Sequence, residues 1–493
     1  MCQSDNTQEL TVTFNPQLYL QRRGWVLDIM RREGITEVLD IGCGEGELLA
    51  CLCNPAPWLA PPPPHVFPPA PSADTARAPQ LELTSLHKDI LHPVKVAGLD
   101  VSRADLAAAV EATCPPEPGS ACVGLWHEPV RWEPLEVEIW EGSLARVNPA
   151  FVDVECVVST EVIEHLPEDV LPAFAPVVFG VYHPRIVLLT TPSYTFNARF
   201  TAPDAPLEAR SGWPDPTKRT ARIFRHSDHK FEWTVEEFTE WCRAVAQQWG
   251  YEVELSGVGK AQEVDEWGRD DALGWASQTA VFTRREGTGW ADRRARRVSD
   301  LGILHEPHKE AEHTLLATHQ YTAHEAASCP QPLQIVGDLI VEQMVHVRYT
   351  SMSIRDLWFD NAVAIACGGW LEWLVRAIQM HNGLSLDSMT TDEDTLDWTV
   401  LLDPSLHELI PPEAEASPPD SDEVLDSWDP LDEDDAWRNG AVAIASNEQD
   451  GATDNMGWGQ PDVGWDKSPA DDLEGEVVWG VPEDNCGCSS VWT

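Results

Sequence analysis

The segment Glu37-Val38-Leu39-Asp40-Ile41, followed by Gly42-Cys43-Gly44-Glu45-Gly46-Glu47-Leu48-Leu49, constrains the fold of this chain more than any other. An apolar five-residue run that breaks into alternating glycines and then into a helix-compatible stretch reads as buried strand, tight turn and helix in succession. A lone G-x-G-x-G also suits ordinary turns. Its companion is Val96-Ala97-Gly98-Leu99-Asp100-Val101-Ser102, a second strand that ends in an acid, where a doubly wound sheet offers a carboxylate to a ribose diol. Glu45 sits inside the turn and would repel a pyrophosphate. A cationic, phosphate-free nucleoside such as S-adenosylmethionine therefore suits the turn better than a dinucleotide.

The rest of the pattern predicts a helix over 17–32 and strands near 37–41, 95–100, 135–140, 154–159 and 186–191, with helices between several of them. Two further β-rich runs, 251–257 and 278–284, are expected to form an antiparallel pair closing the sheet. The predicted fold class is α/β, a Rossmann-like class I methyltransferase sheet. Residues 310–380 read as helical, with apolar stretches such as Ile335-Val336-Gly337-Asp338-Leu339-Ile340-Val341 and Leu371-Glu372-Trp373-Leu374-Val375, but their role is not legible.

Just past the expected fourth strand stands Ser159-Thr160-Glu161-Val162-Ile163-Glu164-His165, and farther on Asp228-His229-Lys230-Phe231-Glu232-Trp233. If a helix starts at the first of these, Glu161, Glu164 and His165 fall at i, i+3 and i+4 and project from one face, with His229 arriving from a separate loop. Two carboxylates and two imidazoles make a mixed oxygen and nitrogen donor set. Oxygen donors suit magnesium or manganese, and imidazole draws the preference toward manganese, cobalt or zinc, which leaves the ion open. Glu in the first position departs from the H-x-x-E-H zinc-protease pattern. The bland reading is a solvated helix start whose acids lie near the positive end of the dipole. The location beyond a strand's carboxyl end, where such sheets bind ligands, favours a site.

These segments resemble the small-RNA 3′-terminal 2′-O-methyltransferase family, of the Hua-enhancer type. The resemblance covers about residues 12–286. It is carried by Phe14-Asn15-Pro16-Gln17-Leu18-Tyr19-Leu20-Gln21-Arg22, the stretches 38–44 and 98–102, Glu141-Gly142-Ser143-Leu144, 161–166, Thr191-Pro192-Ser193-Tyr194-Thr195-Phe196-Asn197 and 224–238. Its most specific part is the pairing of EVIEH with DHKFEWT. The resemblance implies metal-dependent transfer of a methyl group from S-adenosylmethionine to the 2′-hydroxyl of the last nucleotide of small silencing RNAs, protecting them from tailing and decay. It implies Glu161, Glu164, His165 and His229 as ligands of a divalent metal, magnesium or manganese, with His165 or His229 also able to relay a proton. It implies Asp40, Gly42, Gly44, Asp100 and Ser143 as the lining of the S-adenosylmethionine pocket. His226 is a minor alternative to His229. An ion bridging both terminal ribose oxygens would admit only a free 3′ end.

A formal net charge of −49, taken over the whole chain, opposes a nucleic-acid substrate. About twenty of those charges lie beyond residue 410, in the pattern of a disordered acidic tail. Lys218, Arg219, Arg222, Arg225, His226 and Lys230, with Arg199 and Arg210 nearby, form an expected basic lip for the last phosphates of a single-stranded small RNA 3′ end; a solvated basic loop is the alternative. The expected organisation is a methyltransferase domain over 1–286, interrupted by a Pro-rich insertion at 54–80, a mainly helical extension over 287–409, and the tail over 410–493.

The tail places Trp428, Trp437, Trp458, Trp465, Trp479 and Trp492 in sequence that cannot bury them. Trp458, Trp465 and Trp479 stand in Gly-Trp or Trp-Gly pairs that resemble the hooks by which disordered segments engage Argonaute-family proteins. No signal peptide or bilayer-length apolar run is read, so neither membrane association nor export is expected. The scattered cysteines suggest a reducing, cytoplasmic setting with Cys43, Cys51 and Cys53 as buried thiols; Cys486-Gly487-Cys488 is too short for a zinc site. A small-molecule class I methyltransferase and a catalytically dead Argonaute-binding scaffold are the competing functions.

Overall fold

The short central strands are apolar on both faces, which lets them bury in the middle of a layered α/β fold. The computed structural model describes residues 9–67, 90–116, 129–206, 209–303, 312–387 and 395–411. The Trp-bearing segment from 412 onward, with Trp458, Trp465 and Trp479 and Cys486-Gly487-Cys488, lies outside them. β1 (Glu37–Ile41), β2 (Lys95–Asp100), β3 (Leu135–Glu141), β4 (Cys156–Thr160) and β5 (Ile186–Pro192) pair in parallel. β6 (Tyr251–Val258), β7 (Ser277–Arg284) and β8 (Thr314–Tyr321) pair antiparallel to their neighbours. The order across the sheet is β8-β3-β2-β1-β4-β5-β7-β6. The order of strand addition switches sides between β1 and β4, so a crevice opens beyond the carboxyl ends of these two parallel strands.

Alternate residues face opposite layers. Val38, Val96, Val158, Ile186 and Leu188 pack against α1 (Leu18–Glu33), α2 (Glu47–Leu52) and α3 (Arg103–Ala112). Leu39, Leu99, Val157, Val187 and Leu189 pack against α4 (Leu171–Ala175), the π-turn Pro176–Tyr182 that continues it, and α5 (Val235–Trp249). Burying each of these side chains stabilises the fold by about 1.5–3 kcal/mol, and a charge at Leu39 would break the sheet at its centre. α5 begins with a capping box between Thr234 and Glu237 and ends at Gly250 in the left-handed conformation, so both bounds are set locally.

The sheet continues past residue 286. α6 (Thr288–Asp300) sets Val298 into the core beside Trp249, and β8 then adds to the free edge of β3. Residues 314–321 were expected within a helical region and are a strand instead. Their sequence, TLLATHQY, mixes strand-forming Thr314, Thr318 and Tyr321 with helix-forming Leu, Ala and Gln and meets an unpaired edge, and tertiary pairing decides such ambiguous runs. α7 (Leu333–His346) and α8 (Leu371–Met380) are helical as the pattern predicts, and they pack beside a small sheet of β9 (Ser351–Ser353), β10 (Leu384–Asp387) and β11 (Thr399–Leu402), ordered β9-β11-β10.

This second core is completed by the Pro-rich segment. Trp58 and Leu59 are buried in it, the Leu59 amide donates to the Gly369 carbonyl at 2.8 Å, and Phe67 stacks on Trp373. The indole N–H groups of Trp132 and Trp358 both donate to the Pro57 carbonyl, at 3.2 and 3.0 Å. Through residue 67 the expected insertion is therefore a packed part of the extension; 68–80 lie outside the described residues. Cys43 and Cys53 are buried free thiols, while Cys51 is free and only half-buried. Among the described residues no helix is long and apolar enough to cross a membrane.

Candidate active site

The turn after β1 carries the first half of the site. Gly42, Gly44 and Gly46 all have positive φ, and a Cβ on Gly42 would lie 2.3 Å from the Val162 side chain. That contact brings the β1 turn against the loop that bears Glu161 and Glu164. The amides of Gly44 and Ser102 donate to the two carboxylate oxygens of Asp100 at 2.9 and 2.8 Å, and the Gly142 amide donates to the Asp100 carbonyl at 2.9 Å. Asp40, Gly42, Gly44, Asp100 and Ser143 thus gather at the carboxyl ends of three adjacent strands. Asp40 is 3% exposed and one of its oxygens has no hydrogen-bond partner. Burial, reinforced by the charge of Asp100, pushes its carboxyl up to about 7 against the pull of Arg23.

The second half lies beyond β4 and differs from expectation in one respect. Glu161, Glu164 and His165 do not share a helix face. Glu161 has φ of 56°, and only Ile163–His165 forms a single 3-10 turn. The left-handed residue reverses the chain as it leaves the strand, which spacing alone could not reveal. Glu161 accepts from the hydroxyls of Thr190 and Ser277 at 2.8 and 3.2 Å and pairs with Arg22 at 3.4 Å. Glu164 is fully buried. One oxygen accepts from Thr191 Oγ1 at 2.9 Å and the other has no partner. Burial and the Glu161 charge raise its carboxyl to about 7, offset in part by His165 and His229.

The loop before α5 brings His226 and His229 to His165. Donor nitrogens of the three imidazoles lie within 4.8 Å of one another, and the rings of His165 and His229 are 4.8 Å apart. His226 therefore belongs to the cluster, exposed and with its ring 5.6 Å from that of His165. The Lys230 amide donates to the Glu164 carbonyl at 2.8 Å, which ties the two loops together. Nδ1 of His165 lies 3.1 Å from Asp228, and Nδ1 of His229 lies 2.8 Å from Glu232. Burial opposes charging of His165, but Asp228 and Glu164 outweigh it and its pKa rises; Asp228 is held well below the usual range by the same contact. Glu232 also accepts from Asn197 at 2.6 Å and from the Arg225 amide at 2.7 Å. Arg22, Thr190, Thr191, Asn197 and Ser277 were not predicted as site residues. Glu232 alone carried a local signal, three residues after His229.

The basic lip is narrower than composition suggested. Arg199 is 2% exposed and pairs with Asp265 and Asp270 inside the fold. Arg222 makes two hydrogen bonds to Glu237 and lies over Tyr194, and Arg225 is bound by Glu9 and lies over Phe200. These arginines serve internal ion pairs. Arg210 is half-buried and directed to the Tyr194 hydroxyl, and Lys230 is half-buried against Asp228. Lys218, Arg219 and His226 are exposed; Arg219 makes a surface pair with Glu168 at 2.8 Å, and His226 lies near the half-exposed Trp213.

The strand order, with a β1 glycine turn facing an acid at the end of β2, is the class I S-adenosylmethionine-dependent methyltransferase fold, and the carboxylates and imidazoles sit at its ligand-binding edge. Curated relatives bear out the resemblance read from the motifs. The chain is 29% identical over 276 residues to a small RNA 2′-O-methyltransferase of Arabidopsis thaliana, covering 55% of this chain and 23% of that protein. It is 28% identical over 274 residues to one of Gallus gallus, covering 56% of each. It is 34% identical over 190 residues to one of Xenopus tropicalis, covering 38% of this chain and 43% of the relative. The matched part thus spans between about a quarter and about half of these relatives' own length. No protein-family model matches the chain. The solved small RNA methyltransferase HEN1 is 24% identical, covers 64% of this chain and 28% of its own, and has a TM-score of 0.40; the fold assignment rests on the strand order.

Proposed function

We propose that this chain transfers a methyl group from S-adenosylmethionine to the 2′-hydroxyl of the 3′-terminal nucleotide of small single-stranded RNAs, which shields those ends from tailing and decay. The observation that carries the reading is the cluster of His165, His226 and His229 from two loops, with the charges of His165, His229 and Glu161 reaching the buried Glu164 carboxyl, beside the β1 glycine turn. Two fit tests support the groups it requires. The buried Asp40 carboxylate, with one oxygen unpartnered, suits a cationic nucleoside. The buried Glu164 oxygen without a partner, among imidazoles, suits a divalent cation. Imidazoles and carboxylates together suit manganese at least as well as magnesium, the more so if His226 joins.

A divalent ion, when bound, supplies a lowered pKa for a ribose hydroxyl, a poor nucleophile near neutral pH. The chain's own residues provide orientation. Asp228 and Glu232 engage Nδ1 of His165 and His229, leaving Nε2 of each to serve as ligand or to take the proton of the attacking hydroxyl. Asp100, held by two backbone amides, is placed to accept from the nucleoside ribose. Lys218, and Arg219 by exchange of its exposed pair with Glu168, are the cations placed to meet terminal phosphates. Trp458, Trp465 and Trp479 would tether the enzyme to an Argonaute-family protein.

The test is incubation of the full chain with S-adenosylmethionine, manganese or magnesium, and short RNAs ending in a 2′,3′-diol, a 3′-phosphate or a 2′-deoxynucleotide. Only the diol should become periodate-resistant and gain the mass of one methyl. Equal methylation of all three would discard terminal ribose recognition, and none at all would discard the activity.

A further inference from the structure

The extension reaches back onto the nucleoside half of the site. β8 pairs with β3 from Thr314 opposite Glu141 to Tyr321 opposite Leu135. This register places His313, the residue just before β8, over the loop that follows β3. Nε2 of His313 lies 2.9 Å from the Ser143 carbonyl, which also accepts from the Arg146 amide at 3.0 Å. The imidazole sits between Phe151, 6.0 Å away ring to ring, and Gly142; a Cβ on Gly142 would lie 2.1 Å from the imidazole. Gly142 in turn donates its amide to the carbonyl of Asp100. A continuous path thus runs from the His313 ring through the 142–143 backbone to Asp100, whose carboxylate receives the amide of Gly44.

We propose that His313 is a positioning residue of the methyl-donor pocket, through which the extension sets the Gly142-Ser143 loop and with it the affinity for the nucleoside. The proposal rests on the reading of Asp40, Asp100 and Ser143 as that pocket. With a carbonyl as its Nε2 partner, the ring donates there, and Nδ1 has no hydrogen-bond partner among the described residues. The imidazole is a one-ended latch: its removal frees a backbone acceptor and a wedge-shaped space without touching the histidine cluster. Gly142 is required because nothing larger fits under the ring.

The probe is S-adenosylhomocysteine, titrated calorimetrically into the full chain. His313→Ala should weaken its binding about three- to tenfold, the loss of one hydrogen bond and its packing, with manganese affinity unchanged. His313→Gln, whose amide can donate to the same carbonyl, should recover most of the loss. Gly142→Ala should weaken binding as well, but added to His313→Ala it should cost little more, because the clash is gone. Parent-like affinity in both His313→Ala and Gly142→Ala overturns the proposal while the pocket stands. Additive losses, or no rescue by Gln, overturn the latch. A parent chain that does not bind the probe removes the pocket reading and this proposal with it.

Discussion

Nδ1 of His229 lies 2.8 Å from Oε1 of Glu232, a carboxylate with no solvent exposure that also receives Asn197 and the Arg225 amide. The contact sets the tautomer and aims Nε2 into the histidine cluster. Partners of this kind typically influence metal affinity by about 10–100-fold. Glu232→Gln is expected to weaken manganese binding in that range, measured by calorimetry, while S-adenosylhomocysteine binding holds. Unaltered manganese affinity would show that Glu232 only fills a buried position.

Single alanines at Glu161, Glu164, His165 or His229 are expected to abolish most methyl transfer with little change in nucleoside affinity. His226→Ala provides the contrast. If His226 is a ligand, it should lower manganese affinity as His229→Ala does; if it is a bystander, transfer should stay within about twofold of the parent, less than 0.5 kcal/mol in the barrier. Full activity of His229→Ala in excess chelator would discard the cation from the reaction.

Asp40 makes the fold sensitive to pH in the absence of the nucleoside. Its carboxyl is raised to about 7 from an ordinary 3.8, so the unfolded chain releases the proton earlier than the folded one. The stability tied to the neutral form is complete below about pH 4 and is lost as pH climbs to about 7, a change on the order of 4 kcal/mol. Asp40→Asn should therefore flatten the decline of urea midpoints between pH 4 and pH 7 and weaken nucleoside binding. A variant whose midpoints fall as steeply as the parent's would exclude Asp40 as the source.

Lys218 and Arg219 are expected to act on RNA, and Arg222 on folding. Replacing both Lys218 and Arg219 by Ala should weaken binding uniformly across sequences and reduce the slope of log K against log salt by about 0.7 per lost phosphate contact. Arg222→Ala should instead lower the melting temperature, since it removes two hydrogen bonds to Glu237 and the contact over Tyr194. An unchanged salt slope in the double variant would move the RNA path elsewhere.

Much of this protein was legible from residues alone. Strands declare themselves by apolar runs or by alternation, and the bounds of β1 through β7 fell within two residues of expectation because β1, β2, β4 and β5 carry apolar runs and β3 and β6 alternate buried with more exposed positions. The glycine turn, Asp100, Glu164 and His165 were likewise visible as residue types at or just past the ends of those strands, and His229 through the resemblance of its loop. Tertiary structure alone decided the rest. Glu161 takes a left-handed backbone held by Thr190 and Arg22, partners distant in sequence. Arg199 and Arg225 look like an RNA-binding surface in sequence and are spent on buried or half-buried ion pairs. Thr314–Tyr321 became a strand because β3 offered an open edge, and Trp58 found its core among residues some three hundred positions later. Local pattern reports what a residue can bury or bend, but the identity of its partner depends on which distant segments the sheet brings together, and no local pattern carries that information.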